Sequence, residues 1–244
     1  MTTPSEGTTL RPPPGTTAGD SLRDSVAARL AGVRARITAA GGAPERITVV
    51  AVTKGFGPEF VEAALSAGVA DIGENYAQEL EGKLAGLEPA TAKRCRWHLL
   101  GKVQRNKVRR VAGSVHLWQS VDRRPAGEEI ARRANGALVL VQVNVSGDGA
   151  KNGCSFDEAP ALVDDLVALG LDVRGLMAVG PLGPPEAARP GFHKLTALAD
   201  HLGLPERSMG MTDDLEVAVQ EGTTMVRVGR GLFGPRPVPS ELQR

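Results

Sequence analysis

The chain has 244 residues, 29 basic against 28 acidic, with a formal net charge of +1. So balanced a charge gives no global field for nucleic acid or an anionic membrane, and no apolar segment approaches the ~20 residues that span a bilayer. The cysteines, Cys95 and Cys154, lie far apart without metal-ligand spacing, which excludes a disulfide framework and a zinc site from the expectations. No charged leader precedes an apolar core at the N-terminus, so a cytoplasmic protein is expected, with no membrane anchor, no metal and reduced thiols that serve packing.

Residues 1–19 are rich in threonine, proline and glycine, have little to bury, and read as a disordered tail. Asp20 or Ser21 then caps a helix to about Ala40, with Leu22, Val26, Leu30, Val33 and Ile37 as its apolar stripe. The run Ile47 to Lys54, ITVVAVTK, reads as a strand buried on both faces. Period-two alternation puts Thr48, Val50, Val52 and Lys54 on one face, with the ammonium at the strand's carboxyl end. A lysine there either bends into solvent or joins a site.

The elements then alternate. Helices are expected at about 58–67, 76–87, 103–111, 124–134, 157–169, 192–202 and 213–220, and strands at 70–73, 96–100, 115–119, 137–145, 172–179, 207–211 and 225–228. Alternation of this kind in about 250 residues points to one closed (β/α)8 barrel of TIM type with an extra N-terminal helix. An open doubly wound sheet is the runner-up. The barrel domain covers residues 20–236, and 237–244 form a C-terminal tail. On this reading Lys54, the stretch GENY (Gly73 to Tyr76), His98, Asn144, Met177, Thr212 and Gly229 fall at or near strand carboxyl ends, around one mouth.

In TTMVRVGRGLFG, Thr223 to Gly234, alternation places Met225, Arg227 and Gly229 on one face of the last strand. An arginine facing a barrel interior is costly without a partner. The N–H groups of Gly229, Arg230 and Gly231 at the start of a short helix suit a phosphate, as do the hydroxyls of Ser208 and Thr212 on one face of the neighbouring strand. The alternative is a tight glycine turn with Arg227 in a structural ion pair. A lysine on the first strand, a phosphate cup at the last two and an arginine between them suit a phosphorylated aldehyde held as a Schiff base. Pyridoxal 5′-phosphate (PLP) meets that demand.

The stretches AVTK (Ala51 to Lys54), GENY, WHLLGKVQRNK (Trp97 to Lys107), NVSGDGAKNG (Asn144 to Gly153), RGLMAV (Arg174 to Val179), SMGMTDD (Ser208 to Asp214) and TMVRVGRGLFG (Thr224 to Gly234) occur in this order. With them the sequence resembles the YggS/PROSC family of PLP-binding proteins, the PLP homeostasis proteins, from about Leu22 to Pro235; the family in turn resembles the barrel domain of alanine racemase. The resemblance implies a Schiff base at Lys54. It implies a phosphate held by Ser208, Thr212, the Met211 backbone and the N–H groups of Gly229 and Arg230. It places Arg227 at the pyridine nitrogen and Asn75 and His98 in the pocket lining. The family usually has serine where Thr212 stands, and threonine then alanine where Arg230 and Gly231 stand. The Arg230 side chain either adds charge near the phosphate or points outward.

A fixed positive charge at the ring nitrogen disfavours its protonation and weakens the ring as an electron sink. The resemblance therefore implies a carrier that buffers PLP and delivers it to PLP-dependent apoenzymes, with little or no catalysis and no catalytic residue assigned. Racemases with this barrel use a tyrosine second base from an added β domain; this chain ends just after the barrel, and its single tyrosine is Tyr76. A racemase-like enzyme of low activity is the alternative, and an interaction protein with a vestigial cofactor is a third reading. Tyr76 is expected to pack or to hydrogen bond to its loop.

The run KVQRNKVRR, Lys102 to Arg110, reads as a solvated helix face with Val103, Val108 and Val111 turned inward, and lacks interleaved aromatics for nucleic acid. Lys151, in a polar loop, is either solvated or a transient acceptor of the aldehyde. The pairs Asp164/Asp165 and Asp213/Asp214 read as exposed helix charges, and a monomer is expected.

Overall fold

The computed structural model describes residues 18–147 and 152–236. Eight parallel strands close into a barrel in sequence order: β1 (Thr48–Val52), β2 (Asp71–Glu74), β3 (Arg96–Leu99), β4 (Val115–Val121), β5 (Leu138–Gln142), β6 (Asp172–Met177), β7 (Glu206–Ser208) and β8 (Met225–Val228). Closure comes from β1 and β8, with Thr48 opposite Met225 and Ala51 opposite Val228. The open-sheet alternative is thereby excluded.

Ten helices surround the strands among the described residues: α1 (Ala18–Ala39), α2 (Pro58–Ser66), α3 (Ala77–Gly86), α4 (Pro89–Arg94), α5 (Arg105–Val111), α6 (Arg124–Arg133), α7 (Ala159–Ala168), α8 (Arg189–His201), α9 (Leu215–Gln220) and α10 (Arg230–Phe233). The outer core lies between strands and helices, where the α1 stripe Val26, Leu30, Val33 and Ile37 is buried together with Trp97, Trp118 and Phe192. The inner core is smaller. Val50, Leu117, Leu140, Met177 and Met225 fill the barrel between its two mouths, as alternation along each strand requires.

Several local expectations are corrected. Helix α1 begins at Ala18 and so takes up the last residues assigned to the tail and both proposed caps. Helix α4 was not anticipated. It buries none of its residues, so it has no apolar stripe to read. Strand β7 stops at Ser208, because Gly210 follows with φ +92 and a Cβ there would lie 2.4 Å from the Ala218 Cβ. Thr212 therefore sits in the following loop and does not share a strand face with Ser208. Cys95 and Cys154 are free thiols packed against the core, and Val103, Val108 and Val111 are buried. Lys151 and residues 1–17 and 237–244 lie outside the described residues.

Candidate functional site

A cavity of about 280 Å³ opens at the carboxyl ends of the strands and takes Lys54, Asn75, Met211, Thr212, Arg227, Gly229 and Arg230 into its wall. This size is at the small end for ligand pockets. Val52, Phe56, Leu100, Met177, Val179, Asp213 and Arg236 complete the wall.

Lys54 follows a strand end that is firmly pinned. The Thr53 hydroxyl donates to Glu74 Oε1 at 2.5 Å, and the Lys83 ammonium donates to the same oxygen and to the Thr53 carbonyl, the latter at 2.9 Å. Gly55 then turns with φ +74, a conformation that favours glycine, and its N–H donates to Glu79 Oε2 at 2.9 Å. The Lys54 ammonium itself forms no ion pair among the described residues. Burial, then the Arg236 guanidinium, hold its pKa below the ordinary lysine value, while Glu79 and Glu74 pull the other way. A lysine with a depressed pKa presents more free amine, the form that attacks an aldehyde.

Arg227 is 4% exposed. Its Nη1 donates to the Ser208 carbonyl (2.8 Å) and hydroxyl (2.7 Å), and its Nη2 donates to the Ala178 carbonyl (2.7 Å). The structural ion pair considered for it is not formed among the described residues; neutral oxygens hold it in place. Burial lowers its pKa to about 10 and the nearby Asp214 charge opposes this, so it stays cationic at neutral pH.

On the opposite wall, the loop after β7 faces the start of α10. The N–H groups of Thr212, Gly229 and Arg230 have no acceptor among the described residues, whereas Gly231 N–H donates to the Thr212 hydroxyl at 3.2 Å. The Met211 N–H, expected to face a phosphate, donates instead to Asp214 Oδ1 at 2.6 Å. Asp214 is thus a buried loop cap, against the expectation of an exposed charge. Asp213 is exposed and pairs with Arg230 at 2.5 Å, which directs that side chain along the rim. Arg36 of α1 reaches over to donate to the Thr212 carbonyl at 2.8 Å and to both oxygens of Glu216.

Two expected residues are not in the cavity wall. Ser208 is fully buried beneath it, where its hydroxyl accepts from Arg227 and donates to Gln119 Oε1 at 2.7 Å. His98 lines a different cavity, at the amino ends of the strands, with Asp71, Arg96 and His116. Strand alternation turns it into the barrel, and the pull of Asp71, 3.0 Å from Nε2, directs it away from the mouth. Asn144 accepts from Ser146 in its own loop. Tyr76 is 56% exposed and its hydroxyl makes no hydrogen bond among the described residues, so it neither packs nor braces the loop.

A concave site with one amine of lowered pKa, three unsatisfied backbone N–H groups and a fixed guanidinium suits a ligand that carries both an aldehyde and an anion. The family of alanine racemase N-terminal domains matches residues 23–237. The pyridoxal phosphate homeostasis protein of Pseudomonas aeruginosa is 38% identical over 88% of this chain and 96% of its own length. The chain belongs to the pyridoxal phosphate homeostasis family. Its Deinococcus radiodurans member is 40% identical to this chain, over 86% of it and 99% of the relative. Among solved structures, PipY of Synechococcus elongatus with PLP bound superposes with a TM-score of 0.75 at 31% identity, covering 86% of this chain and all of PipY.

Arg236 and Phe56 were not singled out from the sequence, and Asp213 was read only as an exposed helix charge. Arg236 lies past the last strand, and no local pattern connects it with Lys54.

Proposed function

We propose that this chain binds PLP in the mouth cavity as a Schiff base on Lys54 and acts in PLP homeostasis as a carrier with little or no turnover. The observation that carries this reading is the pairing of the pKa-lowered Lys54 amine with the fixed Arg227 guanidinium across one small cavity, in a chain 31% identical to a structure with PLP bound. When bound, the cofactor supplies a reactive aldehyde and an electron-accepting ring. The free N–H groups of Thr212, Gly229 and Arg230 and the Thr212 hydroxyl take its phosphate; Asn75 lines the cavity beside Lys54. Ser208 acts indirectly by holding Arg227. The charge of Arg227 keeps a proton off the ring nitrogen and so restrains carbanion chemistry.

Turnover as a racemase is less well supported. Tyr76 lines an adjoining cleft and is absent from the cofactor cavity wall. No helix among the described residues is long and apolar enough to cross a membrane, and the free thiols agree with the cytoplasm as the place of action. Action as a monomer that loads PLP-dependent apoenzymes completes the proposal.

The test is the absorbance spectrum of the protein with PLP, followed by borohydride reduction and peptide mapping, in wild type and Lys54→Ala. A stable adduct on Lys54, absent from the variant, is expected. Equal labelling of surface lysines in both proteins would refute the site.

A further inference from the structure

A second cavity, of about 300 Å³, lies beside the first and shares Asn75, Leu100 and Val179 with it. It runs from the mouth into the cleft between α3 and α5. Its apolar floor is formed by Leu99, Val108, Val111 and Trp118, and Lys102 and Lys107 supply its charge. Among the described residues no acidic side chain lines it and neither lysine forms an ion pair. Trp118 is fully buried, yet its indole nitrogen is one of only two buried side-chain polar atoms without a hydrogen-bond partner among the described residues. The Asn75 carboxamide, on the boundary of the two cavities, also has no partner there. An unpartnered buried donor is costly and is relieved by whatever brings an acceptor to it.

We propose that this cleft binds a small amphipathic carboxylic acid, of the size class of an amino acid or a 2-oxo acid, with its carboxylate at Lys102 and Lys107 and its apolar part on the Val108 and Val111 floor. The two free ammonium groups select an anion. The apolar floor favours an acid with a hydrocarbon tail over inorganic phosphate, which has nothing to place there. A ligand so held lies next to the aldehyde assigned to the mouth. The anion site stands on its own residues, while its relevance to the cofactor rests on the PLP reading above.

The chain contains two tryptophans, so 15N-indole labelling yields two signals. Trp97, whose Nε1 donates to the Ala92 carbonyl at 3.3 Å, is the internal control for Trp118. The probe is 4-methylpentanoate, which has no amine and cannot react with an aldehyde, titrated into the full chain with and without PLP. A saturable shift of the Trp118 signal with Trp97 unmoved is expected, weakened about tenfold or more in Lys102→Ala/Lys107→Ala and unchanged in Lys54→Ala. The Trp97 signal reports whether the double variant is folded. The proposal is overturned if Trp118 does not respond, if the double variant binds as well as wild type, or if inorganic phosphate shifts Trp118 with equal affinity. Absorbance on the same samples reports PLP loading separately: a Trp118 response without PLP binding would sink the cofactor reading and leave the acid site standing. PLP binding without a Trp118 response would do the reverse.

Discussion

Arg227 at one end of the barrel and Asp71 at the other are joined by a single directed chain of hydrogen bonds. Arg227 Nη1 donates to the Ser208 hydroxyl, which donates to Gln119 Oε1. Gln119 Nε2 then donates to His98 Nδ1 at 2.7 Å, and His98 Nε2 to Asp71 Oδ1 at 3.0 Å. Every donor points from the cation toward the carboxylate, so each bond polarises the next in the same sense. Burial alone would raise the Asp71 carboxyl, but the hydrogen bonds from His98 and Arg96 outweigh it and hold the pKa at about 2. An anionic Asp71 fixes the proton of His98 on Nε2 and leaves Nδ1 as the acceptor.

This directionality can be measured. The 15N shifts of the His98 ring should report a neutral imidazole protonated at Nε2; a proton on Nδ1 would mean that the chain runs differently. Gln119→Leu leaves the Ser208 hydroxyl and His98 Nδ1 without their partner. At about 1–3 kcal/mol for each of the two buried polar groups left unsatisfied, a loss of roughly 2–6 kcal/mol in unfolding free energy is expected from denaturant titration.

The amine of Lys54 offers a second prediction. Burial is the larger cause of its lowered pKa and Arg236 the next. Arg236→Ala should therefore shift the pH midpoint of adduct formation with an aldehyde toward the ordinary lysine value, while Glu79→Gln should shift it further down. A pH titration of borohydride-trapped adduct on Lys54 reads both, and identical midpoints in all three proteins would remove Arg236 from the site.

What could be read from the sequence follows from where each signal resides. Strand β8 occupies the expected residues 225–228 because Met225, Val226 and Val228 are apolar on both faces and glycine ends the run. The alternation in β1 placed Val52 and Lys54 correctly on the interior face. Alternation gives a face and says little about height. It could not tell that His98 reaches down to Asp71, more than twenty residues earlier in the chain, and does not join the mouth. The Arg36 bond to the Thr212 carbonyl spans 176 positions and has no local trace at all.

That bond makes the N-terminal helix part of the site's support. Arg36→Ala removes the brace on the Thr212 carbonyl together with a half-exposed ion pair to Glu216. The stability cost should be modest, about 1 kcal/mol. PLP affinity should fall several-fold if the loop bearing the Thr212 N–H loses its position. Arg36→Lys keeps the charge without the fork, and is expected to recover little. Unchanged PLP binding in both variants would show that the loop holds its shape unaided.

The pocket behind Lys54 should leave a mark on the pH dependence of stability. Burial pushes the Glu74 carboxyl up to about 7, against the pull of Lys83 and of the Thr53 hydroxyl, and its Oε2 has no hydrogen-bond partner among the described residues. Its folded pKa thus exceeds the ordinary 4.5. Between these values the folded protein retains a proton that the unfolded chain has released, so this group's stabilisation is complete below 4.5 and is lost as pH rises toward about 7. The slope is at most about 1.4 kcal/mol per pH unit. His116 acts in the opposite sense near the top of the window, since burial lowers its pKa below 6.5. The informative quantity is therefore the difference between wild type and Glu74→Gln, which keeps His116 in both proteins. Unfolding free energies of wild type should decline relative to the variant across this window, and parallel pH profiles would mean that Glu74 stays ionised throughout, held by Lys83.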